Sequence, residues 1–289
     1  MMQQLKTLLS HRGFVPGVMV LSTLLMAGTL NNGFLLDDYL HQIMMRDDPG
    51  ADGGLHWVKA APWDLFKLIP DEPEFVRHSV ESGINPWWGA KSYQATFFRP
   101  LSSLSMYLDH LLWPHAPMMM HVHSLLWSVL MCVMAYRVFL RVLPTPFLAA
   151  LALGFFALDD AHVFPAGWIA NRNGLIATTL SLTAFLMHLR WRMDQWRFGA
   201  VAAPLMLALA LLAGEFALGI VGFIFAHVIF MEDGTWRQKL LRLAPYGAVV
   251  VMWRVVYNLL GYGVWGSDLY VDPLGSPWAF FEVMVQRLP

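Results

Sequence analysis

Seven apolar runs, at about 14–36, 118–140, 146–158, 174–189, 198–213, 216–231 and 243–260, decide what this chain can become. A backbone in hydrocarbon must satisfy its own hydrogen bonds, so such runs cross a bilayer as helices. A perpendicular crossing takes about 20 residues, and several runs are shorter. Short crossings are tolerated where helix ends rest in protein or in a wet cavity. The stretch from Phe198 to Met231 is too long for one crossing and divides at Gly214. Composition agrees, with 57% hydrophobic and 13% charged residues, against about 25% charged in ordinary soluble domains. The expected fold class is therefore all-α: a polytopic helical membrane protein with about seven transmembrane helices in a single module over 1–289. A long first outside loop, 37–117, carries interfacial amphipathic helices, and 261–289 forms an outside tail. The first run is long and lacks a small-residue cleavage site, so it reads as a permanent span.

Charge sorts the loops. Lys6 and Arg12, Arg137 and Arg141, Arg190, Arg192 and Arg197, then Arg237, Lys239 and Arg242 all fall on one side of a seven-span alternation. The positive-inside rule places that side in the cytoplasm. Asp194 and Glu232-Asp233 also fall there, each among basic neighbours. Acids without basic neighbours fall on the other side: Asp37-Asp38, Asp159-Asp160, Glu215, and Asp268 and Asp272 in the tail. A shared site on the non-cytoplasmic face is the expectation. Cys132 is the single cysteine and lies mid-span, so no intrachain disulfide is available.

Asp37-Asp38, where the first run stops, is the leading catalytic candidate. A charge at bilayer depth costs about 2.5–3.5 kcal/mol on insertion scales. Two adjacent carboxylates can share a proton, bind a metal, or divide the roles of base and orienter. Asp159-Asp160 with His162 offers a second acid/base, or with Asp38 a divalent-cation site, since carboxylates plus imidazole suit such ions. Arg172 opens the fourth run and Arg254 lies inside the seventh; a guanidinium matches phosphate oxygens. Arg254 has the alternative of a structural pair with Glu215. Arg99, in Phe97-Phe98-Arg99-Pro100, precedes an amphipathic helix over 102–113 and either positions substrate or snorkels. His121 and His123 are as much interfacial as functional, and His227 and residues 118–120 read as packing. No GxxxxGK[ST], GxSxG, CxxC or HExxH occurs, so nucleotide hydrolysis, serine esterase and zinc protease chemistry lack support.

The order of these features resembles the membrane-embedded glycosyltransferases of the GT-C class, especially the protein O-mannosyltransferase-like branch that often carries tetratricopeptide repeats. The matching parts are a first span closing in Asp-Asp, a long outside loop, Phe-Arg-Pro-Leu, a Trp-Ile-Ala-x-Arg turn and a Gly-Glu break. The resemblance implies transfer of a sugar from a polyprenyl-phosphate carrier to an acceptor hydroxyl on a protein or glycan. It implies Asp37 as base, with Arg172 and Glu215 at the family's Arg and acidic positions. It implies a multi-pass protein of a bacterial inner membrane whose site faces the periplasm. No cofactor is required, a divalent cation is allowed, and no nucleic-acid partner is expected. The chain departs from the family pattern in several places. Gly214 replaces a Lys, Asp159-Asp160 a His-Pro, Phe164 a Glu, and Ser124 and Ser128 stand where Asn and His are usual. The tail ends as the front part of a longer polypeptide would. The rival classes are a transporter or flippase, and a non-catalytic scaffold on the same module. Transporters show internal repeats with paired broken helices, and only the break at Gly214 is present.

Overall fold

The computed structural model describes residues 13–46, 58–83, 86–88, 93–266, 271 and 275–287; Lys6, Arg12, Asp268 and Asp272 fall outside them. Helix α1 (Phe14–Met26) tightens into a 3-10 turn over Ala27–Asn31. The first span does not close on its two aspartates, as the run 14–36 suggests. The chain leaves the helix at Asn32, Gly33 takes a φ of 68°, and Leu36 a φ of 45° with ψ −115°. Asp37 and Asp38 then open a new helix, α2 (Asp37–Met45). Glycine adopts positive φ freely, whereas leucine there stores roughly 1–3 kcal/mol of strain. Two carboxylates in a first turn sit at the positive end of the helix dipole, which favours this restart.

The region before the next long helix holds β1 (Lys67–Ile69), α3 (Pro73–Glu81), β2 (Gln94–Thr96) and α4 (Pro100–Leu112). A third strand, β3 (Gly263–Trp265), pairs with β2 in an antiparallel sheet of order β1-β2-β3, Ala95 facing Val264. This small sheet is the departure from a purely helical fold. It fastens the first loop to the chain near its far end.

Proline at the first position of α4 needs no intrahelical donor, so the helix starts at Pro100, two residues before the expected 102. Its faces are inverted relative to a helix in water. Ser102, Ser103, Met106 and Asp109 are buried, while Leu104, Leu108, Leu111 and Leu112 are exposed. Such a helix places its leucines in lipid and its polar groups against protein.

The remaining helices are α5 (Pro117–Val142), α6 (Pro146–Ala157), α7 (Val163–Gly167), α8 (Arg172–Met193), α9 (Gly199–Ala213), α10 (Gly219–Ala226), α11 (Trp236–Leu259) and α12 (Pro277–Arg287). A 3-10 turn, Glu215–Leu218, precedes α10, and a π-helical turn, His227–Met231, follows it. Gly214 is the break between α9 and that turn. Helix α8 packs between α5 and α9, burying Leu175, Ala177, Ala184 and Leu189. A Cβ on Gly199 would come within 2.6 Å of Trp191 Cβ, so α8 and α9 approach closely at that end.

Among the described residues three helices are long and apolar enough to cross a membrane: Phe14–Asn31, α5 and α11. A fourth exists if α6 and Asp160–Gly167, bent by 54°, form one broken crossing. Basic residues gather at one end of the bundle. Arg141 pairs with Asp194 at 2.6 Å, and Arg192 and Arg242 both reach Glu232, at 2.8 and 2.7 Å. Arg172, at the opposite end of α8, lies about 30 Å from Arg192 along the helix axis.

Candidate active site at the mouth of an apolar cavity

Asp37 and Asp38 are neighbours with different surroundings. Both Asp38 oxygens are committed to backbone donors, accepting from Leu35 N at 2.9 Å and Ala170 N at 2.6 Å. Trp168 Nε1 donates to Leu35 O at 3.1 Å, and Asn32 Nδ2 to Gly167 O at 3.0 Å. The Asp-Asp segment and the Trp-Ile-Ala-x-Arg turn thus hold each other. Asp38 is 2% exposed, a buried acceptor that ties the two segments together. Asp37 is half-buried and its carboxylate makes no hydrogen bond among the described residues. Burial raises its pKa above the ordinary carboxylate value, and the nearby Arg99 charge pulls it part of the way back. A carboxylate of raised basicity with uncommitted oxygens suits proton abstraction from a hydroxyl.

Arg99 is the second element. Its Nε donates to Glu215 Oε2 at 2.8 Å. Its guanidinium carbon lies 4.3 Å from the ring centre of Phe97, 5.1 Å from Phe66 and 5.5 Å from Phe216. Three aromatic faces hold the planar cation while its terminal nitrogens make no hydrogen bond among the described residues. Glu215 Oε1 is buried without a partner. His41, beneath, is 1% exposed and edge-on to Phe66 at 5.1 Å. Burial pushes its pKa down to about 4 against the raising effect of the Leu65 backbone, and Arg99 lowers it further, so the ring is neutral.

Phe216 joins this cluster to an apolar cavity of about 590 Å³. The cavity runs between α5, α8 and α10, past Phe139, Phe185 and Phe223, to Phe230 and Met231.

The other candidates are placed differently. Arg172 is not at an aqueous edge, as the start of a span suggests, but 1% exposed. Its Nη1 pairs with Asp109 Oδ2, its Nε donates to Ser124 Oγ at 2.9 Å, and its Nη2 donates to Met120 O at 2.5 Å. Asp109 Oδ1 lies 2.7 Å from His123 Nδ1, and Trp127 Nε1 donates to His123 Nε2 at 3.1 Å. Indole is only a donor, so His123 Nε2 accepts and its ring proton on Nδ1 serves Asp109. Arg172 is thereby a buried node binding α4, α5 and α8, with each guanidinium nitrogen already engaged by protein. Arg254 does not pair with Glu215, which Arg99 occupies; its guanidinium lies 5.6 Å over Tyr257. Asp159 caps a short turn, accepting from Ala161 N at 2.9 Å, and Asp160 is exposed. The His162 ring lies 4.6 Å from that of Phe156, tilted by 54°. Asp38, Asp160 and His162 do not converge as metal ligands. Among the described residues the cluster that does is His188, His227 and Glu232.

The residues that sequence reading passed over are His41, Asp109, His188 and Glu232. Asp109 had a signal, a carboxylate set among leucines on an interfacial helix. Comparisons with protein-family models, curated proteins and solved structures find no match to this chain, so the functional reading rests on this geometry.

Proposed function

We propose that this chain is a membrane-embedded glycosyltransferase that takes a sugar from a polyprenyl-phosphate carrier at the non-cytoplasmic face. The observation that carries the reading is an uncommitted, half-buried Asp37 near the aromatic-caged Arg99, itself stacked against the rim of an apolar cavity. A lipid tail in that cavity brings its phosphate to Phe216 and Arg99. The guanidinium neutralises the departing phosphate, which then leaves without a strong acid. The acceptor oxygen attacks the anomeric carbon as Asp37 takes its proton. The bond from that carbon to the phosphate oxygen breaks, its electron pair going to the phosphate. A single base and direct displacement give inversion at that carbon, by the logic of inverting glycosidases.

The proposal takes α1, α5, the bent pair, α8, α9, 215–231 and α11 as seven crossings. Two features support it: basic residues gather at one end, and one sheet joins the first loop to the chain beyond α11. The phosphate role moves from Arg172 and Arg254 to Arg99.

The test uses proteoliposomes and a polyprenyl-phosphate sugar radiolabelled in the sugar. Supporting outcomes are loss of organic-extractable label, recovery of polyprenyl phosphate, and abolition of both by Asp37→Asn. Movement of intact labelled donor across the bilayer without loss of sugar would establish the transporter reading instead.

A further inference from the structure

At the opposite end of the bundle three donors converge in a way the transferase chemistry does not use. His188 Nε2 lies 3.2 Å from His227 Nδ1, His227 Nδ1 lies 3.2 Å from Glu232 Oε1, and His188 Nε2 lies 3.7 Å from that oxygen. The three come from α8, from the π-helical turn and from the loop before α11. We infer that His188, His227 and Glu232 form a binding site for a first-row divalent transition metal, with Zn²⁺ and Co²⁺ as the fitting probes.

Geometry comes first. A point equidistant from three atoms so spaced lies about 2.0 Å from each, the range of zinc–imidazole and zinc–carboxylate bonds. Two such ligands at a tetrahedral angle stand about 3.3 Å apart, which the observed separations bracket. Two imidazoles and a carboxylate select zinc-like ions over magnesium or calcium, which prefer oxygen.

The surroundings are those of a supported site. Glu232 Oε1 is buried without a hydrogen-bond partner, and the Glu232 side chain is 8% exposed. Its other oxygen, Oε2, receives both Arg192 and Arg242, which fix the carboxylate with Oε1 toward the histidines. His188 Nδ1 lies 2.8 Å from the Tyr246 hydroxyl. With Nε2 on a metal, Nδ1 carries the proton and donates to that hydroxyl, the usual orienting contact of a ligating histidine. The π-helical turn that begins at His227 closes α10 and leads directly into Glu232, which brings two of the three ligands together. Two guanidinium groups nearby oppose a divalent ion, so binding is expected to be weaker than in a closed thiolate site. His188 is fully buried within α8, so the ion would act as a clamp joining α8, the π turn and the loop before α11.

The experiment uses tag-free, detergent-solubilised protein treated with a chelator, then titrated with Co²⁺. The expected result is one equivalent of intense visible d–d absorption, absent in His188→Gln and His227→Gln and retained in His162→Gln. X-ray absorption on the wild-type protein loaded with Zn²⁺ gives a check that needs no variant. Its expected first shell is nitrogen and oxygen with scattering from two imidazoles. Tyr246→Phe should keep the spectrum and weaken affinity about 10-fold, the lower range for an outer-shell contact. No Co²⁺ band, a band surviving in both histidine variants, or a zinc shell without imidazole overturns the site. Sugar transfer enters none of these readouts.

Discussion

Arg99 and Glu215, 116 residues apart, meet at 2.8 Å, and each answers a different question about the other. The glutamate follows the break at Gly214, where α9 ends and a tight turn begins. The arginine precedes α4 and sits among three phenylalanine rings. Lysine can match the charge but not the planar fork or the stacking. Arg99→Lys is expected to weaken binding of a polyprenyl-phosphate donor about 10-fold or more, the loss of a charge-assisted contact. Isothermal titration in detergent reads it. Unchanged affinity would remove Arg99 from the donor site.

The two aspartates should separate cleanly. Asp37→Asn keeps the shape and removes the base, so turnover should fall about 10²- to 10⁴-fold with donor affinity nearly intact. Asp38→Asn breaks the link to Leu35 and Ala170, so its first effect is a lower melting temperature. Because burial raises the Asp37 pKa, the base is lost at a higher pH than an exposed carboxylate would be. The acid limb of the rate profile should therefore lie above the ordinary carboxylate range. Single-turnover rates across pH, with melting curves on both variants, check all three statements.

Arg172 should behave as a structural group. Removing one partner of a buried pair costs about 3–5 kcal/mol, whereas replacing both by apolar residues costs much less. Arg172→Met and Asp109→Leu should each lower the melting temperature strongly. The double variant should recover much of the loss. Additive losses would mean that the two do not act as a pair.

His41 predicts a stability profile. Its folded pKa of about 4 lies below the usual 6.5. At neutral pH both folded and unfolded forms are uncharged and the full stability is present. As pH falls from 6.5 the unfolded chain takes a proton that the folded chain refuses, and stability is lost until about pH 4. A shift of this size corresponds to roughly 3 kcal/mol. His41→Phe should flatten that slope in unfolding measurements between pH 7.5 and 4.5.

Orientation can be tested with single cysteines at Ser82 and Gln195, both exposed. Membrane-impermeant maleimide added to intact cells should label the first and spare the second. The reverse pattern would invert the assignment of the acidic face.

Much of this arrangement was legible because its signals are local. A Gly-Glu step between two apolar runs, a proline after Arg99 and an Asp-Asp pair each declare a boundary within a few residues. What escaped depends on how distant surfaces meet. Nothing near Arg172 announces Asp109, 63 residues earlier, and the habit of reading α4 by its leucines hides the polar face that meets protein. Asp37 and Asp38 look equivalent in sequence. The difference arises because Ala170 and Leu35 turn their amides on one of them. His188 and His227 sit in apolar runs, where a histidine is easily taken for packing, and Glu232 is masked by its basic neighbours.

The inverted faces of α4 carry a mechanical consequence. In the proposed topology this helix floats with its leucines in the outer leaflet, while its first turn adjoins Arg99 and its inner face grips Ala213 and Arg172. The height of the proposed reaction centre would then be pinned to the lipid surface itself. A carrier whose phosphate rides at that same depth meets Arg99 without leaving its leaflet. Thinning the bilayer or flooding it with short-chain detergent would tilt the floor of the site before it unfolds any of the walls.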